Sequence, residues 1–326
     1  MKSKLSLTVG FIIFFTSSCQ KEEVKVLKPV SIQVEHISPV SAILEASVEV
    51  EHDDIAGSFG VCWSLNEFPD IKSDTKSSYI VSSKVEKKSG YVERYTAALS
   101  SLLPNTTYYC RAYAERPGGH VFYGKVLSFT TKNGDVLKDI RDNQDYPYTQ
   151  IGTYTWMLKN LNYASKVGKS VFYKNDSARY ASSYGRLYNF ASACKSCPNG
   201  WHLPSDVEWQ DLEKAAAVKQ GELAIVGKRG NRAGWILKEA GFERWLSDTD
   251  KIALVTNSTG FSARASGQFD VKKNKFSYLG TSAVFYSATV VGNNVYARNL
   301  SLGHEWIGRG LVDSTTYISV RCVRDY

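Results

Sequence analysis

Cys197-Pro198-Asn199-Gly200-Trp201-His202-Leu203-Pro204-Ser205-Asp206-Val207-Glu208-Trp209 runs from a turn into a helix. Pro198-Asn199-Gly200 is turn chemistry. Ser205 can accept a hydrogen bond from the amide three residues on while Glu208 reaches back to the Ser205 amide, a capping box. Trp209, Leu212 and Ala216 then recur at helical spacing, an apolar stripe that has to find a core. A second, shorter helix is expected over 233–240, ended by Gly241. The remainder of 146–326 is rich in Tyr, Trp, Asn, Ser and Gly and reads as strands and loops.

Upstream the texture differs. Between 29 and 132 there is no long 3.6-residue period. Ala42, Leu44, Ala46, Val48 and Val50 alternate with polar or small residues, the two-residue period of half-buried strands. Similar stretches around Cys62, 91–99, 107–114 and 125–131 bring the number to about seven strands in about 100 residues, a β-sandwich pattern. Leu102-Leu103-Pro104-Asn105-Thr106-Thr107-Tyr108 resembles the turn and tyrosine before the sixth strand of fibronectin type III domains, where the tyrosine hydroxyl closes back on the turn. Tyr108, Cys110, Ala112 and Ala114 share the inward face by alternation. Cys62 and Cys110 fall on strands expected to be neighbours; in an exported protein such a pair reads as a structural disulfide, with two buried thiols as the alternative. Asn133-Gly134-Asp135 marks the exit, and a linker is expected over 133–145.

The chain of 326 residues has 43% hydrophobic and 22% charged residues and only 8 prolines, which excludes a mainly disordered or collagen-like chain. Six cysteines in this length are too few for a disulfide scaffold. Lys2 and Lys4 precede an apolar run over 5–15, too short for a membrane-spanning helix, and Thr16-Ser17-Ser18 lead into Cys19. This resembles a bacterial lipoprotein signal over 1–18 with lipidation at Cys19, although Thr16 stands where that pattern has an aliphatic residue. An ordinary secretory signal is the alternative. Loss of the leader lowers the formal charge from +8 to +6. Gln20-Lys21-Glu22-Glu23, in a charged tether over 19–28, resembles the surface-export signal of Bacteroidetes lipoproteins. The expected location is the outer membrane, lipid-anchored and facing outward.

Five stretches of the second half belong together: 151–157 with Lys159-Asn160-Leu161-Asn162-Tyr163; Tyr184-Gly185-Arg186-Leu187-Tyr188-Asn189; 197–209; Gly260-Phe261-Ser262-Ala263; and Ser319-Val320-Arg321-Cys322-Val323-Arg324-Asp325. In this order they closely resemble the Fibrobacter succinogenes major paralogous domain. The resemblance implies an α+β C-type-lectin-like fold, related also to formylglycine-generating enzymes, with both domain ends meeting in one sheet. The expected architecture is therefore an all-β, fibronectin type III-like sandwich followed by a lectin-like domain over 146–326. The family motifs hold cysteines at Cys197 and Cys322, which implies a bridge between them and leaves Cys194 over. A redox Cys194-Lys195-Ser196-Cys197 site is the competing assignment, but such cysteines sit at a helix start, and this pair runs into a turn.

No catalytic constellation stands out. The 203–209 motif also resembles that of the formylglycine-generating enzymes, yet it is a cap and a core tryptophan, and their two late reactive cysteines are matched only by Cys322. His36, His52, His120, His202 and His304 are scattered without a metal-ligand spacing. Asp248, Asp250 and Asn257 could offer oxygens to calcium, but the spacing is common in polar loops. No metal or cofactor is expected, and the basic residues are too dispersed for nucleic acid. Binding is the best functional class. Tyr286, Tyr296, Arg298, His304, Trp306 and Arg309 are the candidate ligand face, aromatic area interleaved with polar groups suited to a glycan or protein. A structural cell-envelope protein is the alternative, and an enzyme comes third.

Overall fold

A computed structural model describes residues 27–51, 57–78, 81–87, 90–241, 244–246 and 255–325. The leader, Cys19 and most of the tether, together with His52, Asp248 and Asp250, lie outside the described residues. Strands make up 45% and helices 13%, so the molecule is β-rich.

The first half is two facing antiparallel sheets. One has the order β1 (Lys28–Glu35), β2 (Ala42–Glu51), β6 (Gly90–Leu99), β5 (Val81–Lys87). The other runs β4 (Thr75–Ser78), β3 (Ser58–Ser64), β7 (Thr107–Glu115), β8 (Val121–Tyr123), with β9 (Leu127–Thr130) continuing along β7. Their inner faces enclose Leu44, Ala46, Val48, Trp63, Leu99, Tyr108 and Cys110. The Leu103 amide donates to the Tyr108 hydroxyl at 3.0 Å, which locks the turn before β7. Tyr95 donates across the sandwich to the Gly60 carbonyl at 3.0 Å.

Cys62 and Cys110 are not bridged; both are buried thiols. In the β3–β7 register Cys62 lies opposite Arg111 while Cys110 lies opposite Trp63, so the two side chains leave the sheet on opposite faces. Cys110 enters the sandwich core, and Cys62 packs outside it with Ile71 and Tyr113. Burial pushes their thiols up to about 12 and about 11, respectively, which makes them unreactive.

The expected linker is instead largely strand. β10 (Asp135–Asp139) opens a sheet with β11 (Gln144–Ile151), β12 (Tyr154–Met157) and β21 (Val323–Arg324). The two ends of this half thus meet in one sheet, through β12 and β21. β13 (Ser170–Val171) pairs β14 (Leu187–Tyr188), and β16 (Ser266–Asp270) pairs β17 (Lys275–Leu279). A further sheet has the order β15 (Gly227–Arg229), β20 (Ile307–Asp313), β19 (Asn294–Ser301), β18 (Ser282–Val291). Among the helices, α1 (Ser177–Tyr184) and α2 (Phe190–Ser196) were not anticipated, although Asp176 and Asn189 cap them by accepting from Arg179 and Ser192 amides. The expected box caps α3 (Asp206–Ala215): Glu208 N donates to Ser205 Oγ at 3.3 Å, and Ser205 N to Glu208 Oε2 at 2.6 Å. α4 (Ala233–Leu237) stops before its expected end, because Lys238 leaves it to bridge Ala263.

The motifs brace one another. Arg321, fully buried, donates to Asn160 Oδ1 at 2.7 Å, to the Met157 carbonyl at 3.1 Å and to the Ser262 carbonyl at 2.7 Å. Trp156, Trp209, Phe261 and Phe285 form an aromatic chain with neighbouring ring centres 5.0–5.8 Å apart. Cys197 and Cys322 are joined, Cα atoms 5.8 Å apart, which clamps the loop before α3 to the last strand. That core also contains Val40, Ile43 and Ala98, so the two halves share it. Gly260, at φ +76°, sits where any Cβ would meet Pro39 Cδ at 2.8 Å.

With a sequence separation of 125, the bridge contributes about 5 kcal/mol in the chain-entropy model, an upper estimate. Under native conditions, alkylation read by peptide mass spectrometry should label Cys194 rapidly and reach Cys62 and Cys110 only on unfolding. Recovery of a peptide linking Cys62 to Cys110 would refute the register.

Candidate functional site

The anticipated ligand face is largely interior. Tyr286 is fully buried, its hydroxyl donating to the Thr316 carbonyl while its own carbonyl accepts from Trp209 Nε1 at 3.1 Å. Arg298 is also fully buried and binds Glu213 Oε1 and, at 2.8 Å, Asp206 Oδ1. Arg309, 8% exposed, grips Asp206 through two bonds at 2.9 and 2.7 Å and covers the Tyr296 ring at 3.8 Å. Arg229 completes the cluster, with bonds of 2.8 and 2.5 Å to Glu213 Oε2. Three arginines from β15, β19 and β20 thus hold two carboxylates of α3. The partners of Arg298 and Arg309 lie 85 and 103 residues away along the chain, which hides those pairings from sequence spacing.

Of the anticipated set, Tyr296, His304 and Trp306 stay partly or wholly exposed. His304 stacks on Trp306 at 4.7 Å, and Lys228 Nζ lies 4.8 Å over the same ring. The turn carrying His304 is held by Lys238 Nζ, which donates to the Ser301 and His304 carbonyls at 2.5 and 2.6 Å. Burial lowers the Lys238 ammonium to about 7. Asn257 does not offer oxygens to an ion: its amide donates to Ser41 and Ser262 hydroxyls at 3.0 and 2.7 Å, and its Oδ1 accepts from Ser262 N at 2.9 Å. His202 pairs with Glu208 at 2.5 Å beside the helix cap, on the surface.

A recess lies instead between the halves, with a volume of about 220 Å³. Val40, Leu102 and Leu103 line it from the sandwich, and Val136, Pro147 and Leu158 from the second half. Its charged lining is Asp145, Lys159, Glu239 and Arg264. Arg264 is committed, donating twice to Glu239 Oε1 at 3.2 and 2.8 Å and to the Ser183 carbonyl at 2.9 Å. Glu239 Oε2 is buried without a hydrogen-bond partner among the described residues. Burial and the nearby Arg264 push the Lys159 ammonium down. Two wider grooves of 650 and 550 Å³ share Asn133, Thr149 and Gln150 along the same junction.

Residues 149–324 match the family model described as the Fibrobacter succinogenes major domain (Fib_succ_major). The match spans more than half of the chain, and the chain belongs to this family. No curated protein matches it. Among solved structures, a purple acid phosphatase from yellow lupin (Lupinus luteus) is 16% identical over 32% of this chain at a TM-score of 0.24, and the match spans only 20% of that enzyme. The sensor domain of the anti-sigma factor RsgI4 of Pseudobacteroides cellulosolvens is 17% identical over 33% of this chain and 97% of its own, TM-score 0.23. A myokine structure is 18% identical over 32% and 97%, TM-score 0.20.

Burial would raise the Asp206 carboxyl, but bonds from Arg309 and Arg298 outweigh it and hold it at about 2. Its contribution to stability is therefore present above the ordinary carboxylate value and lost as pH falls between about 4 and 2. In urea melts across that window, Asp206→Asn should lose less stability than the wild type; equal losses would contradict the assignment. Glu213→Ala, which strands two buried arginines, should cost about 3–5 kcal/mol. A cost within the range of ordinary surface substitutions would refute the structural role of the cluster.

Proposed function

We propose that this is an outward-facing outer-membrane lipoprotein, anchored at Cys19, in which a fibronectin type III-like sandwich carries a lectin-like domain that binds a glycan or protein ligand. The sandwich assignment is supported by its two-sheet strand order and by the Leu103–Tyr108 bond that closes the turn before β7. The lectin-like assignment is supported by the meeting of β12 with β21 and by the bridge from Cys197 to Cys322. The observation that carries the binding reading is the recess at the junction, where Lys159 and a Glu239 oxygen lack partners among the described residues beside an apolar wall. Mixed polar and apolar lining of a preformed concavity is the usual make-up of a ligand site.

The alternative, a structural envelope protein without a discrete ligand, is favoured by the burial of Tyr286, Arg298 and Arg309. An enzyme of the formylglycine-generating type is the weakest reading, because Cys322, the late cysteine it would need, is committed to the bridge.

Screening the full chain on a glycan and protein array separates the first two. Saturable binding to one ligand class is expected; a uniformly blank array would favour the structural role. Cys19→Ser should move the protein from the membrane to the soluble fraction of cells. Retention in the membrane would contradict lipid anchoring.

A further inference from the structure

We propose that the recess between the two halves binds a single uronic-acid residue, with Lys159 holding its carboxylate. This rests on the binding reading above and assigns it a place and a chemistry.

Lys159 stands in the first motif of the family domain, whose other members have structural work. Trp156, Met157 and Leu161 are fully buried in the cores, Asn160 Oδ1 accepts from Arg321 Nε at 2.7 Å, and Tyr163 carries the Arg141 guanidinium at 3.8 Å over its ring. Lys159 makes no ion pair or hydrogen bond among the described residues, yet it lines the recess. The other cation there, Arg264, is already spent on Glu239 and on backbone carbonyls. An incoming anion would therefore find one uncommitted ammonium, and a charge-assisted bond to it is the strong kind.

The remaining lining calls for hydroxyls. Glu239 Oε2 is a buried acceptor without a donor among the described residues, and Asp145 is an exposed acceptor at the rim. The exposed Asp145 carboxylate can accept from a ligand hydroxyl, as an ionised carboxylate offers only acceptors. Leu102, Val136 and Pro147 supply an apolar wall for the C–H face of a ring. At about 220 Å³ the space falls below that of drug-sized pockets, so it admits one ring rather than a chain. The formal charge of +8, or +6 without the leader, draws anions toward the molecule. A sugar acid meets all of these conditions. It could arrive free or as the end of an acidic polysaccharide.

Calorimetric titration of the full chain with D-galacturonate, D-galactose and trigalacturonate tests this. Galacturonate should bind about tenfold or more tightly than galactose. Lys159→Met should remove that preference while leaving the melting temperature in place, and Lys159→Arg should restore most of it. Val136→Trp, a substitution on an exposed strand residue that fills the recess, should block binding with Lys159 intact. Tighter binding of the trimer would identify a polysaccharide end, and equal binding a free sugar acid; both support the site. Equal affinity for galactose, or binding untouched by both Lys159→Met and Val136→Trp, would overturn it. If every sugar is silent while the array retains a ligand, the uronic-acid assignment fails and the binding reading stands; if both are silent, both fail.

Discussion

Three arginines on three neighbouring strands close on two carboxylates of one helix, and the second half of the molecule is organised around that contact. Arg229, Arg298 and Arg309 hold Asp206 and Glu213 where almost no water reaches. Two acids against three cations leave one positive charge uncompensated inside the cluster, and Arg298 Nη1 has no hydrogen-bond partner among the described residues. Removing ions from water costs several kcal/mol each, so such a cluster adds less to net stability than its short bonds suggest. What it contributes is placement. The axial position of α3 against β15, β20 and β19 is set by charge matching, and an alternative seating would strand buried charges.

That placement propagates. With α3 fixed, Trp209 meets Trp156, Phe261 and Phe285, and the loop before the helix is brought to the last strand, where Cys197 and Cys322 join. Arg321, next to Cys322 in sequence, ties the first and fourth motifs together. The aromatic core then accepts Val40, Ile43 and Ala98 from the sandwich. Burying apolar surface across the junction is worth roughly 25 cal/mol per Å², and it brings the two halves together at the walls of the recess. The candidate site is thus a product of the junction and belongs to neither half alone.

How much of this was legible in the sequence depends on the range of the interaction. The α3 capping box is confined to four residues and was readable, as was the inward face of Tyr108, Cys110, Ala112 and Ala114. The Cys62–Cys110 pairing failed because alternation assigns faces within one strand but not the register between two, and a one-residue offset sends a side chain to the other face. Tyr286, Arg298 and Arg309 were read as a ligand face because aromatic and charged residues interleave on many surfaces; their burial depends on acids far along the chain. α1 and α2 carry their signal locally, in the caps at Asp176 and Asn189, although short helices leave little apolar period to accompany it. Lys159 was visible only as part of a motif, and its lack of a partner among the described residues appears once the other motif residues are seen in contact. The Cys197–Cys322 bridge was legible through family resemblance rather than through spacing.

The central claim is that a ligand enters at the junction and not across the strands over 294–313. Hydrogen–deuterium exchange of the full chain, with and without saturating trigalacturonate, tests it most directly. The account predicts added protection in 136–147, 158–160 and 239–241. Protection confined to 294–313 would contradict it.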